Sequence, residues 1–223
     1  MSQPQPVPSA SQPCLTMIDV EKFSATSLST NPFDYIIVPG FVQSQAFDQV
    51  IAAYPPIDKG GSFPLHLLKY GPAFQRLLDE LQGPEFRQAV EKKFSVDLTG
   101  KPTMITVRGV CSKRDGKVHT DTESKILSLL LYMNPAWEKE GGRLRLLRSD
   151  NIEDVATEVP PVAGTLLVFR RADNSFHGHK MHVGARKVIQ MNWVTDQKFI
   201  DHSMKRHGIS AFIKRFNPFS GDY

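Results

Sequence analysis

The chain has 223 residues, 40% of them hydrophobic and 22% charged, with a net charge of +4. These values exclude a disordered chain, a collagen-like repeat and a disulfide scaffold, and leave an ordinary globular domain with a core. The mild basic excess permits an anionic partner without requiring one, and no nucleic-acid partner is expected. Two cysteines, Cys14 and Cys111, sit in unrelated contexts, which fits a reducing compartment. No run of about 18 apolar residues is present, so no membrane span is expected. The first residues lack the basic and apolar regions of a secretory signal, and a cytoplasmic location is the expectation.

Residues 1–17 are rich in Pro, Gln and Ser and read as a disordered tail, because they cannot bury enough apolar surface to offset ordering. Residues 18–33 read as an irregular lead-in, and 18–196 as the folded domain. Tyr35-Ile36-Ile37-Val38 is a first strand, stopped by Pro39-Gly40. A helical section follows. Phe47, Val50, Ile51 and Tyr54 repeat at helical spacing over Gln43 to Tyr54, and Phe74, Leu77, Leu78 and Leu81 do so over Ala73 to Leu81. Pro84 opens a further helix through Phe94. After Pro102 the pattern changes to short apolar runs separated by turn residues. Strands are expected over Thr103–Val110, Ile126–Met133, Arg143–Leu147, Glu153–Val159, Thr165–Phe169 and Arg186–Val194. Several short strands without intervening helices imply a sandwich or barrel. Residues 197–223 read as a basic helical extension of the same domain, with Lys205, Arg206, Lys214 and Arg215 on a solvated face.

The strand-rich half contains Val118-His119-Thr120-Asp121. In extended backbone His119 and Asp121 point to one face, so an imidazole and a carboxylate can meet one ion. By itself this triplet is a weak signal. A third ligand is available from Ser175-Phe176-His177-Gly178-His179-Lys180-Met181-His182. Two neutral imidazoles and one carboxylate on one face of an octahedron form the facial triad of non-haem Fe(II) oxygenases. His179 shares a face with His177 in extended backbone and is the reserve candidate; His182 reads as a loop histidine.

The order of these pieces resembles the 2-oxoglutarate/Fe(II) dioxygenases, and among them the prolyl-4-hydroxylase-like branch. The resemblance rests on His119-Thr-Asp121, the strand Gly164-Thr-Leu-Leu-Val-Phe169, Ser175-Phe-His177-Gly178 and Arg186 on the following strand. Leu131-Tyr132-Met133-Asn134, Trp137 and Gly141-Gly142 resemble that branch's hairpin, and Asn31-Pro32-Phe33-Asp34-Tyr35 its lead-in. The resemblance implies a mainly β fold, a double-stranded β-helix (jelly roll) with N-terminal helices packed on the sheet. It implies Fe(II) on His119, Asp121 and His177, with 2-oxoglutarate and O2 as cosubstrates and ascorbate as a supporting reductant. It assigns the distal carboxylate of 2-oxoglutarate to Arg186, whose planar fork binds carboxylate bidentately. Alternation places Gln190 and Asn192 on Arg186's face. Gln190 is expected to help hold that carboxylate, and Asn192 to lie nearer the iron and meet substrate. Arg108 and His179 are further substrate candidates. The branch often carries a second tyrosine before the hairpin tyrosine; here that position is Leu131, and Tyr132 is expected on the opposite strand face.

The implied reaction hydroxylates an unactivated C–H bond and releases succinate and CO2. A small or carrier-bound substrate is favoured, with a protein side chain as the other option. The alternatives are a zinc enzyme using the same three ligands and a jelly-roll binding module with a vestigial site. Arg186 argues against both, since neither has a cosubstrate carboxylate to bind.

Overall fold

The computed structural model describes residues 16–201, so the proposed tail at 1–15 and the basic extension beyond residue 201 lie outside the described residues. Met17 belongs to the fold and not to the tail. It is fully buried, and its backbone N–H donates to both oxygens of Glu80, at 3.0 and 2.8 Å.

The lead-in is not irregular throughout, because it contains helix α1, Val20–Ala25. The side chain of Asp19 caps it by accepting from the Lys22 N–H at 2.8 Å. One buried residue, Phe23, fixes α1 against Phe41 and Phe86. A single anchor gives no helical periodicity to read. Helices α2 (Ser44–Ala52), α3 (Pro72–Gln82) and α4 (Pro84–Phe94) lie where their apolar spacing predicts. Gly83 ends α3 and caps α4 at once, and Pro84 supplies the first turn of α4, where its missing N–H is not needed. Residues 197–201 are helical.

The strands form two antiparallel sheets. β1 (Tyr35–Val38), β2 (Phe63–Pro64), β3 (Thr103–Cys111), β4 (Lys125–Tyr132), β7 (Leu166–Arg170) and β9 (Gly184–Val194) make a six-stranded sheet in the order β1-β7-β4-β9-β3-β2. β5 (Leu144–Leu147), β6 (Val155–Val159) and β8 (His177–His179) make a three-stranded sheet in the order β6-β5-β8. An isolated bridge from His119 to His177 adds the segment before β4 to the free side of β8. This is the jelly roll with helices on the outer face of its larger sheet.

The larger sheet is buried on both faces, and strand alternation sorts its side chains into two cores. Leu127, Leu129 and Leu131 of β4, and Ile189, Met191 and Trp193 of β9, face the helices, where they meet Phe74, Leu77, Leu78, Phe86 and Val90. The other parity faces the smaller sheet. Tyr132, Leu167, Phe169 and Val188 pack there against Leu144, Leu146 and Val159. Central β9, paired with β3 on one side and β4 on the other, therefore carries interior-facing residues along the length of the roll. Among the described residues no helix is long and apolar enough to cross a membrane.

Phe86 joins the helices to the sheet, with ring centroids 5.2 Å from Phe23 and 6.3 Å from Trp193. Phe86→Ala leaves a cavity at this junction and is expected to destabilise the protein by about 3–5 kcal/mol, read as a lower denaturation midpoint in urea.

Candidate metal and cosubstrate site

His119, Asp121 and His177 each offer a ligand atom, and these atoms lie within 4.8 Å of one another. The bridge between His119 and His177 holds the two imidazoles side by side, with backbone bonds of 3.1 and 3.0 Å and ring centroids 4.3 Å apart. His119 is exposed, while Asp121 and His177 are buried. The His119-Thr-Asp121 piece is not a regular strand: only His119 bridges, and Asp121 sits in the irregular segment that leads into β4.

Each imidazole is oriented by its other nitrogen. His119 Nδ1 lies 2.9 Å from the Lys117 carbonyl, and His177 Nδ1 lies 2.9 Å from the Ser175 carbonyl. A carbonyl only accepts, so each Nδ1 carries the proton and each Nε2 presents a lone pair, the tautomer a metal ligand needs. Burial pushes the pKa of His177 down to about 4, so its ring is neutral near pH 7. For Asp121 burial acts upward, but Lys125, His177 and the Ser128 hydroxyl together hold its carboxyl below the usual range.

Asp121 is held on both oxygens. Lys125 Nζ stands 2.6 Å from Oδ1, and the Ser128 hydroxyl donates to Oδ2. Ser128 in turn accepts from Asn192 Nδ2 at 2.8 Å. Asn192, read from the sequence as a substrate contact, is thus committed to a buried chain that ends on Asp121. Lys125 and Ser128 were not picked out in the sequence. A basic and a hydroxyl residue shortly after a candidate carboxylate ligand were the available signal.

Deeper in the roll lies a second polar centre. Arg186 is 3% exposed, and its Nε donates to the Gly142 carbonyl at 2.8 Å. Its guanidinium carbon lies 5.2 Å from the centroid of the Tyr132 ring. Arg186 Nη2 and the Tyr132 hydroxyl are buried side by side, and among the described residues neither has a hydrogen-bond partner of good geometry. Burial pushes the Tyr132 phenol above its ordinary range, so it remains a donor. Two unmatched buried donors, one of them cationic, are costly unless a ligand matches them. A carboxylate has the charge and the acceptors for both. The Gly141-Gly142 turn makes this arrangement possible: a Cβ on Gly141 would stand 2.1 Å from the Met181 carbonyl, and Gly142 has a φ of +79°.

The expected positions of Leu131 and Tyr132 are reversed. Leu131 is the outward residue, in the helix-facing core, and Tyr132 points inward beside Arg186. Gln190 is half-buried on Arg186's face but four residues away, about 13 Å along the strand, toward Asn192. Tyr132, and not Gln190, is therefore the neighbour of the guanidinium. Arg108, offered as a substrate contact, is instead ion-paired with Asp115 at 2.8 Å, and Asp115 also accepts from the N–H and hydroxyl of Ser112. Its visible work is to anchor the turn after β3. His179 is buried outside the ligand cluster, with Nδ1 2.9 Å from the Lys180 carbonyl. Burial, aided by the charge of Arg186, pushes its pKa to about 4. His182 lies in the loop between β8 and β9, as expected, but is buried there, its ring 4.7 Å from that of Trp137 and tilted by 59° to it.

His177 and His179, the two histidines whose pKa burial pushes to about 4, give a pH signature. Unfolding returns each ring to a pKa near 6.5, so between pH 6.5 and about 4 the unfolded chain binds more protons than the folded one. The metal-free protein should therefore lose stability as pH falls through that window, and His179→Gln should reduce the slope. Urea midpoints measured from pH 7.5 to 4.5 check this; equal slopes would refute it.

Residues 109–195 match the 2OG-Fe(II) oxygenase superfamily. A prolyl-4-hydroxylase from Pseudomonas putida is 16% identical, with a TM-score of 0.51 over 79% of this chain and 93% of that one. A truncated viral collagen prolyl hydroxylase from Paramecium Bursaria Chlorella virus-1 is 14% identical, with a TM-score of 0.51 over 87% of this chain and 100% of that one. A 2OG-Fe(II) oxygenase family oxidoreductase from Burkholderia pseudomallei is 14% identical, also with a TM-score of 0.51, over 79% and 90%. At these identities the three likenesses show the fold. No curated protein matches the sequence directly. With the family match running from within β3 to just past β9 and the jelly roll around it, this segment is similar to the 2OG-Fe(II) oxygenase superfamily, whose chemistry uses Fe(II), 2-oxoglutarate and O2.

Proposed function

We propose that this 2-oxoglutarate-dependent dioxygenase hydroxylates an unactivated C–H bond of its substrate, converting 2-oxoglutarate to succinate and CO2. His119, Asp121 and His177 would hold Fe(II), and Arg186 with Tyr132 would take the distal carboxylate of 2-oxoglutarate. The observation that carries this reading is the pair of unmatched buried donors, Arg186 Nη2 and Tyr132 OH, in the same interior as the triad. A zinc hydrolase or a vestigial binding module gives those donors nothing to bind.

When bound, iron and its cosubstrate supply oxidising power for C–H cleavage, chemistry that no protein side chain provides. The chain's own work is orientation and exclusion. The carbonyls of Lys117 and Ser175 fix the imidazole tautomers. Ser128 and Asn192 fix the plane of the Asp121 carboxylate. The apolar walls, Leu144, Leu146, Leu167 and Phe169, keep water from the cosubstrate. No general base is required. The exposed side of the site, at His119, is the place for substrate to approach.

A small or carrier-bound substrate is the favoured reading. A prolyl residue of a protein, the substrate class named for the Pseudomonas and viral relatives, is the second reading, supported only by the shared fold. Succinate release, screened across amino acids, carrier-bound acids and proline-containing peptides with Fe(II) and ascorbate, separates the two. In the same assay Tyr132→Phe should raise the 2-oxoglutarate KM about tenfold or more, and Arg186→Leu should abolish saturable binding. Unchanged 2-oxoglutarate binding in both variants would sink the assignment.

A further inference from the structure

Among the described residues, Lys125 is the one ammonium group placed on a candidate metal ligand. It opens β4, and its Nζ lies 2.6 Å from Asp121 Oδ1, with side chains 12% and 5% exposed. The surrounding donors do not duplicate its charge. Ser128 brings a neutral hydroxyl to Oδ2, and the two imidazoles spend their Nδ1 protons on carbonyls. Arg171 is turned aside: its Nε donates to the Asp121 backbone carbonyl at 3.2 Å, and its Nη1 pairs with Asp173 at 2.8 Å. Without a metal, the charge of the buried carboxylate is therefore matched by Lys125.

That arrangement has two consequences of opposite sign. A buried carboxylate stripped of its only cation is strongly destabilising, so Lys125 holds Asp121 in its place before any metal arrives. A dication that binds the same carboxylate meets an ammonium a few ångströms away in a partly desolvated site, and the two repel. Such repulsion exceeds what one hydrogen bond to the carboxylate contributes to its orientation.

We propose that Lys125 is a positioning residue that stands in for the metal's charge: it keeps Asp121 in the ligand position in the metal-free protein and lowers the affinity of the site for a divalent metal. The proposal rests on His119, Asp121 and His177 being the metal ligands. It makes the site one that forms before loading and exchanges its metal readily, in contrast to ligand sets that collapse or repel when empty.

The test uses the full chain and Co(II) as an air-stable probe, with no 2-oxoglutarate and no turnover. Lys125→Gln keeps a hydrogen-bond donor and removes the charge; Lys125→Arg keeps the charge; Lys125→Met is a second neutral variant should the glutamine fail to fold. Calorimetric titration should show the neutral variants binding Co(II) about tenfold or more tightly than wild type, and the arginine variant binding within about threefold of it. The metal-free neutral variants should melt lower by about 5–10 °C and gain more from added Co(II) than wild type does. A structural or purely orienting role would weaken metal binding on substitution. Neutral variants that bind Co(II) equally or more weakly therefore overturn the proposal. If wild type and a His119→Ala, Asp121→Ala double variant bind Co(II) alike, the ligand assignment itself fails, a different outcome from failure of the lysine's role.

Discussion

A guanidinium closed between two sheets is the constraint around which this jelly roll is arranged. Arg186 is nearly inaccessible, and burying its charge is favourable only where acceptors surround it. The protein supplies one, the Gly142 carbonyl, and an aromatic face, Tyr132. Several distant features serve that contact. The Gly141-Gly142 turn brings a bare carbonyl to the strand start, where any Cβ would collide with the 180–182 segment. Trp137 donates to the Gly141 carbonyl at 3.0 Å and packs its ring at a tilt against His182, fixing the same turn from outside. The donors left over are those the proposed cosubstrate carboxylate would match in charge.

The triad sits at the other end of the same strand system. β9 links the two centres, because Arg186 and Asn192 share its interior face and Asn192 reaches Asp121 through Ser128. The spacing between the two polar centres is thereby set by strand rise, a stiff ruler. Local irregularity does the remaining work. Register shifts in the pairing of β9 with β3 and β4 fall near its two ends, close to the sites, and the middle is regular. Apolar packing against the helices holds the outer face of that ruler in place.

Much of the chemistry was legible because it depends on residue type and order. An imidazole and a carboxylate two apart, a later histidine and an arginine on the next strand are sparse features that survive without coordinates. The differences have physical causes. Leu129-Leu130-Leu131 is apolar at every position, since the sheet is covered on both faces, so the run carries no alternation to say which parity points inward. Leu131 and Tyr132 were assigned to the wrong sides for that reason. Arg108 and Asn192 were offered to substrate because their partners, Asp115 and Ser128, are chosen by folding and not by sequence pattern. Helix α1 escaped notice because it is anchored by a single phenylalanine.

The sequence by itself determined the kinds of groups available and their order along the chain, and with them helices α2 to α4, most of the longer strands and the His119, Asp121, His177 and Arg186 set. Only the tertiary structure decided which groups end unmatched and which are consumed. Tyr132 OH and Arg186 Nη2 remain open to a ligand, whereas Asn192 and Lys125 are spent on Asp121. The physical reason is that hydrogen bonding and charge pairing are settled among neighbours in space, within a few ångströms, while a sequence fixes neighbours only along the chain.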